Sequence, residues 1–240
     1  VAAAILLCLA TGLLLLSRDW VQGQWVQTFA DHTTAVGERR EVALPDGSTV
    51  TLDSDSAFDL TGTPQDPRVM LRRGMAYFEV TPRAPGHGFT VETPEANVTV
   101  VGTRFSVETN TGRTRVAVRH GIVETSARRE TEAGTRMERL TRGEGVSVTA
   151  EGQLVKMTPS EDNFAWLDGR LTFHDQPLGA VLADLDRYFP GVILLANDRL
   201  ATIKISGSYR LDDPASLVRS LARITSATVT DFSPYLLIIR

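Results

Sequence analysis

Glu41-Val42-Ala43-Leu44-Pro45-Asp46-Gly47-Ser48-Thr49-Val50-Thr51-Leu52 sets an apolar residue at every second position on both sides of a Pro-Asp-Gly-Ser turn. A period of two is that of a strand with one face in a core, and Pro followed by Asp-Gly supplies the fixed φ and the positive φ of a tight reversal. The stretch predicts a β-hairpin. The same grammar returns at Leu71 to Val80 around Gly74, at Val100 to Val107 around Gly102, at Val116 to Glu124 around Gly121, and at Leu140 to Val148 around Gly143. Stretches of helical period are nearly absent from residue 36 to about residue 150, so this part is expected to be β throughout. The uneven glycine spacing leaves two architectures open, a solenoid of stacked rungs and a jelly-roll sandwich. Ser126 to Glu138 (SARRETEAGTRME) is charged and aperiodic and reads as a solvated loop between strands.

Thr158 to Asp162 (TPSED) ends the β pattern, and a different alternation follows. Leu171-Thr172-Phe173 reads as a strand. A helix then begins near Pro177, with Leu178, Val181, Leu182, Leu185 and Phe189 on one face, and stops at Pro190-Gly191. Strands at Val192 to Leu195 and Ile203 to Tyr209 precede a second helix, capped by Asp213 before Pro214, with Leu217, Leu221 and Ile224 expected to face inward. Strands near Thr228 and at Tyr235 to Ile239 complete a β-α-β-β-α-β-β order. The fold class is therefore mainly β plus α+β: a solenoid-like or jelly-roll-like domain over 36–160 and a small α/β domain over 165–240.

Val1 to Leu16 carries no charge, and the run stops at Ser17-Arg18-Asp19 with Trp20 and Trp25 close behind. At 1.5 Å per residue such a helix covers roughly 24 Å, short of a ~30 Å hydrocarbon core. Residues 1–17 are read as a truncated transmembrane segment and 18–35 as a juxtamembrane linker, with a trimmed signal peptide as the alternative.

The net charge of -4 offers no field for a phosphate backbone, so nucleic acid is not an expected partner. The single cysteine, Cys8, excludes a disulfide framework or a thiolate metal site. His32, His87, His120 and His174 are isolated in sequence, and no phosphate-binding glycine loop or nucleophile elbow occurs. Asp53, Asp55 and Glu79 are the carboxylates a glycosidase would need to converge, but acidic residues at strand ends are commonly solvated. Asp212-Asp213 reads more simply as a helix cap than as a carboxylate pair. No enzyme activity, cofactor, metal or catalytic residue is expected.

Several of these stretches, in order, resemble the FecR family of membrane-spanning anti-sigma regulators: Gly37-Glu38-Arg39 with Leu44-Pro45-Asp46-Gly47-Ser48, Arg73 to Val80, Val101 to Val107, and Leu140 to Glu144. The tail is similar to the short domain found at the N-termini of secretins and TonB-dependent receptors, through Gly169 to Phe173, Pro177-Leu178, Arg187-Tyr188 and Ile205 to Tyr209. The resemblance implies a non-enzymatic periplasmic region of a single-pass inner-membrane protein. Its partners would be the signalling domain of an outer-membrane TonB-dependent transducer and an extracytoplasmic-function (ECF) sigma factor, in the control of iron or siderophore uptake. The family's cytoplasmic segment that holds the sigma factor is not in this sequence. An exported binding module of a secretin-like assembly is the alternative.

For the partner, the residues singled out are Val192, Ile193, Leu194 and Leu195 with Tyr235, Leu236, Leu237, Ile238 and Ile239, short apolar strands expected at sheet edges where a partner strand can add. The reading in which Leu236 and Ile238 complete the core stays open beside it.

Overall fold

The computed structural model describes residues 30–84, 86–130 and 134–240. The expected membrane segment, Cys8, Trp20 and Trp25 lie outside these residues. Among the described residues, no helix is long and apolar enough to cross a membrane.

Thirteen strands form the first sheet: β1 His32–Thr33, β2 Arg40–Ala43, β3 Thr49–Leu52, β4 Ala57–Leu60, β5 Arg68–Glu79, β6 Phe89–Glu92, β7 Ala96–Val100, β8 Arg104–Asn110, β9 Arg113–His120, β10 Ile122–Ala127, β11 Met137–Thr141, β12 Gly145–Thr149 and β13 Leu154–Met157. The hairpin expected at Glu41 to Leu52 is β2–β3, with Val42 opposite Val50. β1 pairs with β4, so the sheet takes in His32 and Thr33 from the stretch read as a linker. β10 and β11 pair as a hairpin, which draws Ser126, Ala127, Met137 and Glu138 out of the expected loop.

The long strand β5 joins two layers. Its first half pairs with β4 and β6, and its second half with β3 and β8. β7, β10 and β11 extend the first layer; β9, β12 and β13 extend the second. Among the described residues of this sheet, only the β5–β6 pair runs parallel. The stacked-rung alternative is therefore set aside: successive coils of a solenoid pair in parallel, whereas here antiparallel hairpins fold over a single core. Phe58 and Phe89 from one layer and Phe78 and Phe105 from the other are wholly buried in that core. The Phe78 ring lies 5.2 Å from that of Phe105 in its own layer and 6.0 Å from that of Phe89 across the core. Each buried phenylalanine is worth about 1.5–3 kcal/mol.

The second unit follows a 3-10 helix, Glu161–Asp168. It runs β14 Arg170–Pro177, α1 Leu178–Asp186, β15 Val192–Leu195, a one-turn α2 Asp198–Ala201, β16 Lys204–Arg210, α3 Pro214–Ile224, β17 Val229–Ser233 and β18 Leu236–Ile239. α2 was not signalled by any periodic stretch. β14 pairs with β16; β18 pairs parallel with β15 on one side and antiparallel with β17 on the other. α1 buries Leu178, Val181, Leu182 and Leu185. α3 is capped by Asp213, whose Oδ1 accepts the Ser216 N–H at 2.9 Å, and it buries Leu217, Val218, Leu221 and Ala222. Ile224, expected inside, is 65% exposed. The buried stripe passes instead to Thr225, whose hydroxyl donates back to the Leu221 and Ala222 carbonyls.

Gly74 marks the point where β5 leaves one layer for the other. Its φ is +86°, and a Cβ there would stand 2.6 Å from the Ser56 Cα. Gly74→Ala is expected to lower stability by at least about 2 kcal/mol, the sum of a left-handed backbone penalty and a backbone clash. Chemical denaturation checks it, and a loss below about 0.5 kcal/mol would show that the bend accommodates a side chain.

Candidate functional site

The two units meet at a seam built from segments far apart in the sequence. β3 ends at Leu52, and the turn Asp53-Ser54-Asp55-Ser56 follows it. α1 ends at Asp186, and Arg187 and Tyr188 come next. Tyr188 lies three residues beyond Leu185 and so prolongs the apolar stripe of α1 into the seam, where a buried phenol requires a partner. Its hydroxyl donates to Asp53 Oδ2 at 2.6 Å. Arg187 Nη2 reaches the same oxygen at 3.3 Å, and its Nη1 donates to Glu108 Oε1 at 3.1 Å. Arg115 from β9 holds the other Glu108 oxygen at 3.0 Å. Ser54 Oγ donates to the Arg187 carbonyl at 2.5 Å and accepts the Gly37 N–H at 2.8 Å.

A second line of contact is apolar. Phe164 and Trp166 of the 3-10 helix are buried with Tyr77 and Ala117 of the β-sheet, and Leu171 and Leu211 pack against them. The Tyr77 and Phe164 rings meet edge to face at 5.9 Å, and the Arg119 guanidinium lies 5.4 Å from the Phe164 centroid. Arg39 Nη1 donates to the Trp166 carbonyl at 2.6 Å, tying the start of the sheet to this helix. Between the two lines opens a cleft of about 410 Å³, walled by Met75, Glu108 and Arg115 on one side and Phe173, Asp184 and Arg187 on the other.

The charges at the seam are unequally served. Burial pushes the Asp53 carboxyl above its ordinary range, and Arg187 and Tyr188 draw it back only in part. Burial acts to lower Arg187, but Asp53 and Glu108 outweigh it and hold the guanidinium above its usual value. The loss at Asp53 governs, because its side chain is 3% exposed against 25% for Arg187. Burial and the Asp53 charge also push the Tyr188 phenol up, which keeps it a donor. Asp184, at the cleft, is raised by desolvation and then by Glu108.

The carboxylates considered for a glycosidase are taken up by separate partners: Asp53 by the seam, Asp55 by Arg73 at 2.5 Å, Glu79 by Arg104 at 3.2 Å. Among the described residues, no group of three His, Cys, Asp or Glu side chains is placed to hold a metal. His174 pairs with Asp162 at 2.9 Å, and the His32 ring packs on Phe58 at 4.7 Å.

The expected partner strands are placed differently from one another. β18, with Leu236, Leu237, Ile238 and Ile239, is the central strand of its sheet and has no free edge; Leu237 and Ile239 are buried in the core. The edge reading fails there because β17 covers the side opposite β15. Tyr235 precedes β18 and is exposed; its carbonyl accepts the Val192 N–H at 2.9 Å. β15 is an edge strand, and Val192 and Leu194 face solvent while Ile193 and Leu195 turn toward the core. The seam itself was not singled out from the sequence as a site, although Arg187-Tyr188 was part of the family resemblance.

Residues 30–124, the part of the sheet that supplies Asp53 and Glu108, match the family model described as FecR protein. The chain carries a FecR domain. No curated protein matches the chain. Two crystal structures of a protein provisionally named an anti-sigma factor, from Parabacteroides distasonis ATCC 8503, at 1.65 Å and 2.50 Å resolution, share its fold with TM-scores of 0.72 and 0.71. Each is 25% identical and covers 87% of this chain, and the chain spans 97% and 96% of theirs. That coverage exceeds what residues 1–164 supply, so the likeness takes in the unit that follows the FecR domain.

A carboxylate with a raised pKa binds its proton more tightly folded than unfolded. Its stabilising contribution is complete below the ordinary carboxylate value of 3.8 and is lost as pH rises through the raised value. Acidification from about pH 7 toward about pH 4 is thus expected to favour the wild type relative to Asp53→Asn. Melting midpoints of the two proteins across that range check it; a difference that moves toward the asparagine variant on acidification contradicts it.

Proposed function

We propose that this chain is the signal-receiving region of an anti-sigma regulator, with the FecR domain joined to a receiving unit by the Arg187–Asp53 seam. The observation that carries this reading is the match of residues 30–124 to the FecR family together with the likeness of both units to a protein provisionally named an anti-sigma factor. The finer reading extends the family resemblance. Residues 1–17 anchor the protein in the inner membrane and the folded units lie in the periplasm. The signalling domain of an outer-membrane TonB-dependent transducer docks there, and occupancy is relayed to an ECF sigma factor, in iron or siderophore uptake. A regulator of this kind needs surfaces and a joint rather than reacting groups, and the seam joins the two units through recognition contacts.

β15 is the receiving edge in this account. Val192 N–H and Ala196 N–H are taken by Tyr235 and Ile239 carbonyls of the neighbouring strand, so by the alternation of a parallel ladder the Ile193 and Leu195 N–H groups point away from it. The Asp186 carboxylate accepts the Ile193 N–H, so Leu195 supplies the outward donor. An added strand would draw affinity from outward backbone groups of β15 and selectivity from Val192 and Leu194.

The test is capture by the full-length protein in its native host. It is expected to bring down one ECF sigma factor and to bind one transducer signalling domain, with Leu195→Pro weakening the latter at least tenfold by removing the outward donor. Recovery of no sigma factor, with unchanged sigma-dependent transcription after deletion of the gene, would overturn the anti-sigma role. Undiminished binding by a folded Leu195→Pro variant would move the docking site elsewhere.

A further inference from the structure

The C-terminal unit touches the FecR domain along two lines of opposite character. One is the apolar seat of Phe164 and Trp166 against Tyr77 and Ala117. The other is polar and rests on Arg187 and Tyr188 against Asp53, Ser54 and Glu108. The cleft of about 410 Å³ separates them. The two main cores share no residue. Leu171 and Leu211 bridge the apolar seat to the C-terminal core, and both flank Gly169, whose φ of +68° ends the 3-10 helix. The Leu211 N–H donates to the Gly169 carbonyl at 2.9 Å. A rotation of the C-terminal unit about Gly169 leaves both main cores and the contacts of Phe164 and Trp166 with Tyr77 and Ala117 intact, while Leu171 and Leu211 shift on that seat and the exposed His174–Asp162 pair loosens. Its largest loss is the polar line, whose charges are taken up by water as it opens. Buried ion pairs are close to balanced between attraction and lost hydration, so such a line specifies one docked geometry without making it irreversible.

We propose that the joint is a hinge and a latch: the segment 161–169 stays seated on the FecR domain as the pivot, and Arg187 with Tyr188 forms a latch on Asp53 and Glu108 whose release lets the C-terminal unit swing away. Opening uncovers Asp53, Ser54 and Glu108 on the FecR domain and the C-terminal end of α1 on the arm. A partner that loads the β15 edge pulls on the same unit, since Tyr188 and Val192 are separated by only Phe189, Pro190 and Gly191. The latch deepens the proposed relay and rests on it only for the identity of what pulls; the motion itself is a property of this chain.

Paired spin labels at Thr63 and Arg223, exposed positions on the two units, read the motion in the full-length protein in nanodiscs, with Cys8→Ser to remove the native thiol. A single narrow distance is expected in the otherwise wild-type protein. Arg187→Ala and the near-isosteric Asp53→Asn are expected to add a second, longer population, with the near-ultraviolet spectra of both units unchanged. The asparagine variant keeps the test readable if the alanine variant does not fold. A narrow, unshifted distance in folded Asp53→Asn and Arg187→Ala would show that the polar line is not a latch and would overturn the proposal. Because no partner is present, that result leaves the anti-sigma reading standing, and a failure to capture a sigma factor leaves the hinge standing.

Discussion

The Arg187 guanidinium is held between two carboxylates of another folded unit, Asp53 and Glu108, with Tyr188 donating to the first of them. None of these groups is free to move independently. Asp53 is placed by the end of β3 and by its N–H, which donates to the Met75 carbonyl; Glu108 is placed by β8 and shared with Arg115. A charge removed from water in this way is tolerated only where its partners are fixed in advance, and a half-satisfied set costs more than an apolar contact. The relation between the two units follows from that constraint. Apolar area seats the 3-10 helix, while the polar line fixes the angle.

The FecR domain supplies the rigidity the seam needs. β5 runs through both layers, so the Asp53 turn, which follows its neighbour β3, and Glu108, carried by its other neighbour β8, are registered against one strand. Interlayer contacts of Phe78 with Phe89 stop the layers from sliding. The bend at Gly74 brings Ser56 against β5, where its hydroxyl accepts the Met75 N–H at 2.9 Å. The acidic turn that reads as solvated in sequence is thereby drawn into the structure.

Much of the β architecture was legible because its signal is local. The Pro45-Asp46-Gly47 turn and the alternation on each side specify β2–β3 directly, and the apolar stripes of α1 and α3 specify their inward faces. What was not legible is long-range. Ile224 keeps helical spacing with Leu221, but which side chain ends a buried stripe depends on what lies above it, and Thr225 takes that place. Tyr235 to Ile239 reads as an edge because nothing in a short apolar run says how many neighbours it will have; pairing on both sides makes β18 central. The seam is the clearest case. Tyr188 on an apolar stripe announces that a buried hydroxyl needs an acceptor, yet the acceptor is 135 residues away in sequence. No periodicity connects Asp53 to it, and an acidic turn looks the same whether it faces water or an arginine.

The central claim is that Asp53 and Arg187 are energetically coupled across the two units, and a double-mutant cycle of Asp53→Asn and Arg187→Ala on unfolding free energy measures that coupling directly. Contacting charges at such a desolvated site are expected to show a coupling of about 1–3 kcal/mol, with the double variant less destabilised than the sum of the single ones. Additivity to within about 0.3 kcal/mol would contradict the account, because it would mean that the two units are held together without this pair.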